Sequence, residues 1–463
     1  MPSRVLLEGT LCTTLSHALG SRSRPHCPRR LIGGAHRAQR ARQLSSLTSV
    51  QVSPERISLC WSDGLWRQFH PLWLADNDGA RRHASSRQKL QSAAELPSTL
   101  QVAAAEVCGE TLRVRWQASL PESSFCARWL RHHGSDEDQV EVTRLAHSTA
   151  LDTGPSGPRQ PAFELHSVSY EELRGGDQAV RWRWLSALAE RGATLVEDVP
   201  ASVDGVDGVQ WVATLVGPMQ PNIYGEIFDV IAGGEHAGIN LAYTNAAIGP
   251  HQDLCYYESP PGLQLLHCRE FDAAVVGGDS LLIDAFAAAE RVRDEAPWAF
   301  DVLSRVPATF IKDHSRRAQP VLLSYQRPHL AIDPRSRRLT SVFWSPPFEG
   351  PLVGLALADV DAYYAAYRVL HAAIDAAPHW QRRMAPGQML VFNNRRMLHG
   401  RTGFELHGGV RHLRGGYVNI DEFANTFNLL RRAVGCDHHG TTPPLGNQDW
   451  ASMAISLPQD DGV

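Results

Sequence analysis

Two histidines and an aspartate stand out as a set that could hold one metal ion. In Gly249-Pro250-His251-Gln252-Asp253, side chains two apart on a strand leave from one face, so His251 and Asp253 could reach the same ion. Far downstream, Gly387-Gln388-Met389-Leu390-Val391-Phe392-Asn393-Asn394 reads as a turn into a strand that delivers Met397-Leu398-His399-Gly400. Two imidazoles and one carboxylate form a facial triad, which leaves positions open on Fe(II) for a chelating cosubstrate and O2. Arg411 follows twelve residues after His399, where a guanidinium could fork onto a terminal carboxylate. With 21 histidines in the chain, His-x-Asp alone arises easily by chance; the ordered set of His-x-Asp, distant His and then Arg is a much narrower pattern.

The elements that must position these groups read as a mixture of helix and strand. Residues 182–192 suggest an amphipathic helix stopped at Gly192, followed by a strand over 193–196. Two alanine-rich stretches, 284–292 and 359–374, read as helices among short strands and Gly/Pro turns. That order predicts an α+β domain around an antiparallel double sheet rather than regular βαβ alternation. Nearer the start there is an internal echo. Ile57-Ser58-Leu59-Cys60-Trp61 and Leu112-Arg113-Val114-Arg115-Trp116 alternate as strands do, and each leads to a Trp-Leu pair, Trp73-Leu74 and Trp129-Leu130. The expected organisation is a presequence over 1–48, a small β-rich domain over 49–150, a Pro/Gly-rich linker over 151–175, the catalytic domain over 176–440 and a tail over 441–463.

The 463 residues are 43% hydrophobic and 20% charged, which excludes a collagen-like, coiled-coil or wholly disordered chain. A net charge of −4 offers no basic excess for nucleic acid, and no run of ~20 apolar residues would span a bilayer. The charge is uneven, however: residues 1–43 hold eight arginines and a single acid, Glu8, the composition that mitochondrial import reads. The same composition would also suit a basic tail. None of the eight cysteines falls in a Cys-x-x-Cys spacing, so neither a disulfide framework nor a thiolate metal knuckle is indicated.

On several of these motifs the chain resembles the γ-butyrobetaine and trimethyllysine hydroxylases, Fe(II)/2-oxoglutarate dioxygenases related to taurine dioxygenase. The likeness runs from about residue 55 to residue 432. It is carried by His251-Gln252-Asp253, by the run Tyr256 to Cys268, by Gly277-Gly278-Asp279-Ser280, by the run Phe392 to Arg401 and by Arg411-His412-Leu413-Arg414-Gly415-Gly416-Tyr417. The resemblance implies a double-stranded β-helix, or jelly-roll, catalytic domain with a small β-rich N-terminal domain. It implies His251, Asp253 and His399 as iron ligands and Arg411, with Arg414 as the alternative, on the distal carboxylate of 2-oxoglutarate. Ser280 is either a second contact to that cosubstrate or a hydroxyl capping a strand end. The implied reaction consumes O2 and 2-oxoglutarate, releases succinate and CO2 and hydroxylates a small molecule, with ascorbate as reductant. Carnitine biosynthesis and a homodimer follow from the same likeness, while the arginine-rich start of the chain points to the mitochondrial matrix.

Two departures bear on what carries over. The family's structural zinc sits on a Cys-x-Cys-x-x-Cys cluster and a later histidine, whereas this chain has Asp78, Ala80, His83 and Pro121 there, so no structural zinc is expected. Tyr224, Phe228, Tyr243 and Tyr417 match the positions of an aromatic cage for a trimethylammonium, and Asn240 keeps one position of a carboxylate clamp. A second part of that clamp, an asparagine pair, is replaced by residues in Val342-Phe343-Trp344-Ser345. The alternatives are a relative acting on a different, neutral metabolite and, from another class, a catalytically silent binding protein.

Overall fold

The computed structural model describes residues 46–54, 56–84, 86, 88–117, 119–133, 165–231, 241–317, 319–334, 336–434 and 444–447. All of the expected presequence but residues 46–48, most of the expected linker and Asn240 lie outside the described residues.

The strand Leu263–Phe271 is almost continuously buried, as a strand covered on both faces must be. It sits inside a six-stranded sheet whose order is Ile227–Ile231, Arg411–Val418, Leu263–Phe271, Met389–Asn393, Ala193–Glu197 and His166–Ser169. A second sheet holds Ile248–His251, Met397–Arg401, Ser280–Asp284 and His379–Arg382 in that order. Leu266, Leu390 and Leu413 of the first sheet pack with Leu282 and Met397 of the second in one buried cluster. The opposite face of the first sheet is covered by helices, including Gln178–Arg191 and Ile420–Ala433, which bury Trp184, Leu188, Phe423 and Phe427 against Leu263 and Leu265. This pair of sheets is the jelly-roll core that the sequence implies.

Local chemistry sets the ends of these elements. Asp177 accepts from the Ala179 N–H at the start of helix Gln178–Arg191, and Gly192 ends it at φ +79 with its N–H on Leu188 O at 2.8 Å. The chain then turns directly into strand Ala193–Glu197, where Thr194 accepts from the Trp184 indole at 2.9 Å. The helices expected over 284–292 and 359–374 are Ala285–Glu295, capped by Asp284, and Leu357–Asp375. The stretch 165–175, read from composition as the end of a linker, is ordered instead. His166–Ser169 pairs in parallel with Ala193–Glu197, and a Ser169/Glu172 capping box starts helix Tyr170–Arg174. Hydrogen bonding by that short polar segment outweighs the loop signal of its Pro/Gly neighbours.

The segments of the sequence echo occupy equivalent places in two successive motifs. Leu47–Val52, Ile57–Trp61 and Trp66–Phe69 form a meander leading into helix Pro71–Asp76; Val102–Cys108, Thr111–Trp116 and Ser123–Cys126 form another leading into helix Ala127–His133. The echoed tryptophans Trp73 and Trp129 stack with centroids 5.3 Å apart. This region shares a continuous apolar core with helices Ala285–Glu295 and Leu357–Asp375, and the Trp73 indole donates to Leu352 O at 3.2 Å.

The residues at the expected zinc positions belong to a hydrogen-bond network. Buried Asp78 caps Ala80 N at 2.9 Å with Oδ1 and accepts from Ser123 Oγ at 2.7 Å with Oδ2; Ser123 Oγ in turn accepts from the Trp116 indole at 2.9 Å. His83 bonds to Ser86 at 3.1 Å. Beside this network lies a buried ionic cluster. Lys89 Nζ is 2.7 Å from Asp76 and 3.9 Å from Glu349, and the Tyr364 and Tyr367 hydroxyls donate to Asp76 and Glu349. Burial pushes the Glu349 carboxyl up to about 7, with Lys89 pulling the other way. Among the described residues no helix is long and apolar enough to cross a membrane.

Removing one partner of a buried hydrogen bond strands the other, so Asp78→Ala should cost about 1–3 kcal/mol of unfolding free energy, and the purified protein should carry no stoichiometric zinc. Denaturant unfolding checks the first and metal analysis the second; a tightly held zinc that survives mild chelation would show that a metal holds this region.

Candidate metal centre

His251 and His399 stand directly opposite each other on the neighbouring strands Ile248–His251 and Met397–Arg401. Close approach of these strands depends on Gly400, where a Cβ would lie 2.5 Å from Ile248 O. The imidazole centroids are 4.3 Å apart. Asp253 does not share a strand with His251 as the spacing suggests, because the strand ends at His251 and Asp253 sits in the turn after it. It is held there by Asn394, whose side chain accepts from Asp253 N and donates to Asp253 O, both at 3.0 Å. The carboxylate nevertheless meets both rings: Oδ1 is 3.5 Å from His251 Nε2 and Oδ2 is 3.6 Å from His399 Nε2. One ligand atom from each residue lies within 4.8 Å of the others, a spacing suited to a single ion.

Protonation favours such an ion. His251 Nδ1–H donates to Gly249 O at 2.9 Å, which fixes the tautomer and turns the Nε2 lone pair toward Asp253. Burial pushes His399 down to about 4, with His251 adding to the effect and Asp253 opposing it, so the ring is neutral near pH 7. Burial works against ionisation of Asp253, but His399, His251 and the Tyr417 hydroxyl together hold its carboxyl well below the usual range. Two imidazoles and one carboxylate, aimed at a common point, fit a divalent transition metal.

The motif residues around His399 act as fasteners. Arg396 pairs with Asp284 at 2.7 Å and donates to Ala189 O and Glu190 O at the end of a helix, while Arg395 donates to Pro260 O. Two residues that the sequence did not single out matter more directly. Gln264 Nε2 donates to Asp253 Oδ2 at 2.9 Å, and Gln88, from the N-terminal region, reaches the same cavity and accepts from Leu241 N–H at 2.9 Å. Gln264 lies within a quoted motif and faces Tyr417 in register, so strand alternation could have found it; no local signal marks Gln88.

Tyr224, Phe228, Tyr243 and Tyr417 all line the cavity above the triad. Phe228 stacks on Tyr417 at 5.2 Å and lies 6.2 Å from Tyr224. Tyr417 is more than a wall, since its hydroxyl donates to Asp253 Oδ2 at 2.7 Å. Ser280 lines the cavity as well. Arg411 is buried there and donates to Gly278 O at 3.0 and 3.2 Å; a Cβ on Gly278, whose φ is +80, would stand 2.9 Å from Arg411 Nε. Arg414 points elsewhere and pairs with Asp207 at 3.1 Å and Asp229 at 3.5 Å, so of the two arginines it is Arg411 that lines the cavity. Lys312 stands beside two of the rings that line the cavity. Its buried ammonium lies 5.9 Å from the Tyr224 ring and 5.0 Å from the Phe348 ring, and burial pushes it down to about 7.

Residues 155–417 match the family described as taurine catabolism dioxygenase TauD, TfdA family. A γ-butyrobetaine dioxygenase of Pseudomonas sp. (strain AK-1) is 30% identical over 84% of this chain and 97% of its own length. Trimethyllysine dioxygenase of Meyerozyma guilliermondii is 27% identical over 83% of this chain and 96% of its own. The mitochondrial trimethyllysine dioxygenase of Gallus gallus is 26% identical over 88% and 94%.

Because Tyr417 and Gln264 both orient the carboxylate, Tyr417→Phe should weaken Fe(II) binding by about 10-fold to 100-fold with the fold retained. Anaerobic Fe(II) titration measures this; unchanged affinity would show that the hydroxyl does not support the ligand.

Proposed function

The chain belongs to the taurine catabolism dioxygenase TauD, TfdA family and is a 2-oxoglutarate-dependent dioxygenase; we propose that it hydroxylates a small quaternary ammonium metabolite of the γ-butyrobetaine or trimethyllysine kind. The observation that carries this reading is the convergence of His251, Asp253 and His399 beneath the aromatic wall of Tyr224, Phe228, Tyr243 and Tyr417. His251, Asp253 and His399 would hold the iron, and Arg411 would take the distal carboxylate of 2-oxoglutarate, with Ser280 beside it. Bound Fe(II), with 2-oxoglutarate and O2, supplies the oxidising chemistry that converts a C–H group to an alcohol as succinate and CO2 leave.

The protein's own part is placement. Gln264 and Tyr417 hold the Asp253 carboxylate in one orientation, and His251 keeps its Nε2 free through Gly249 O. Apolar residues such as Leu282, Leu390 and Phe392 line the cavity and limit water around it. Aromatic faces of the kind supplied by Tyr243 and Phe228 attract a trimethylammonium through the ring quadrupole.

A second reading, a substrate without a quaternary ammonium, is favoured by one observation. Lys312 brings its amine to the Tyr224 ring, and its protonated form, about half of it near pH 7, disfavours a second cation there. Succinate release with Fe(II), 2-oxoglutarate, ascorbate and each candidate separates the two. γ-Butyrobetaine or trimethyllysine should stimulate release, and kcat/KM should exceed that of the matching tert-butyl isostere by roughly twofold to thirtyfold, the worth of a desolvated cation–π contact. Equal values would establish the second reading, with the aromatic residues as ordinary pocket wall.

The arginine-rich start of the chain and the mitochondrial relative in Gallus gallus support import into mitochondria. A tagged full-length chain should be found there with its N-terminus trimmed; a cytosolic, uncut chain would contradict this.

A further inference from the structure

The cavity is lined by two guanidiniums, Arg401 and Arg411, and by one acid, Asp253, which already faces two imidazoles. The arginines are close neighbours in the fold. Arg411 rests on Gly278 O, while Arg401 stands directly opposite Ser280 across the strand pair, and both guanidinium carbons approach the Phe404 ring, at 5.4 and 4.7 Å. Like charges gathered in a buried space leave a place for an anion that the protein itself does not fill.

Arg401 is 7% exposed, and its nitrogens divide between two tasks. Nη1 donates to Ala246 O at 2.7 Å, and Nη2 donates to Thr244 O at 2.5 Å and to Leu241 O and Ala242 O at 3.4 Å each. Those carbonyls all belong to the segment that carries Tyr243 and leads into the strand ending at His251. The remaining donor, Nε–H, is buried and has no hydrogen-bond partner. A buried charged group with an unmet donor, on the wall of a ligand cavity, marks a contact completed by the ligand.

We propose that Arg401 joins Arg411 in holding the distal carboxylate of 2-oxoglutarate, through its Nε–H, and that the same guanidinium couples cosubstrate binding to the order of the Tyr243 segment. This rests on the reading of the cavity as a 2-oxoglutarate site. The guanidinium is planar and rigid, so fixing Nε also fixes Nη1 and Nη2, and with them the four carbonyls of residues 241–246. The cosubstrate would then bind first and steady the aromatic wall against which the substrate docks. Arg401 is on this account a binding and positioning residue, two positions from His399 on the same strand.

The test uses the full chain loaded with Mn(II), which keeps turnover from intervening. Calorimetry compares 2-oxoglutarate with 2-oxobutanoate, which offers the same 2-oxoacid chelate and no distal carboxylate, in the wild type, Arg401→Gln and Arg401→Lys. Amide hydrogen exchange over 241–246 is followed with each ligand. The expected result is a loss of about tenfold or more in 2-oxoglutarate affinity in Arg401→Gln, with 2-oxobutanoate unchanged. 2-Oxoglutarate should slow exchange over 241–246 in the wild type and fail to do so in that variant. Arg401→Lys keeps the charge without the fork, so it should fall between the two and report even if the glutamine variant does not fold. Equal loss for both 2-oxoacids, unaltered 2-oxoglutarate affinity or ligand-independent exchange would overturn the proposal. Failure of the underlying site reading looks different: the wild type itself would then bind neither 2-oxoacid, and the proposal would fall with it.

Discussion

An ionised carboxylate must be kept beside two imidazoles in a cavity whose walls are largely apolar, and much of the surrounding structure follows from that demand. Left alone, burial would protonate Asp253 or expel it. The chain answers with two donors to the carboxylate, Gln264 in the middle of the major sheet and Tyr417 on the neighbouring strand, and with a clip on the Asp253 backbone from Asn394 at the turn before the His399 strand. Each of these holds position only because the strands of the major sheet are in register, with Leu263–Phe271 paired on one side to Met389–Asn393 and on the other to Arg411–Val418. A one-residue slip would turn Gln264 and Tyr417 away from the cavity.

The N-terminal region is tied to the same centre without the thiolate cluster that the resemblance leads one to expect. Asp78, Ser123 and Trp116 join its two halves by hydrogen bonds, and the Lys89 cluster anchors it to Glu349 and helix Leu357–Asp375. One residue before Lys89, Gln88 enters the metal cavity and accepts from Leu241 N–H. The segment beginning at Leu241 therefore has contacts from two directions, Gln88 on one and Arg401 on the other. Order in the N-terminal region and order in the substrate wall are linked through one amide side chain.

Much of the site was legible in the sequence because metal chemistry restricts residue types and spacing. Type and order single out His251, Asp253, His399 and Arg411; the structure brings the first three within 4.8 Å of one another, in a cavity that Arg411 and the four aromatic cage candidates also line. Other features were not readable. Strand alternation placed Asp253 on the His251 strand, and only the Asn394 clip, a contact across 141 residues, shows why it sits in a turn instead. Tyr417 was read as cage alone, since nothing local announces that its hydroxyl reaches Asp253. Gln88, Lys312 and the orphaned Nε of Arg401 acquire meaning only when distant segments are brought together. The stretch 165–175 was misread because a capping box and a parallel edge pairing outweigh the neighbouring prolines and glycines.

The account stands or falls on one Fe(II) ion held by His251, Asp253 and His399. The direct measurement is anaerobic Fe(II) binding by the purified protein beside His399→Ala, with circular dichroism to establish that the variant is folded. One equivalent in the wild type and loss of tight binding in the folded variant is the predicted result. Undiminished stoichiometric binding in His399→Ala would place the metal elsewhere and contradict the account.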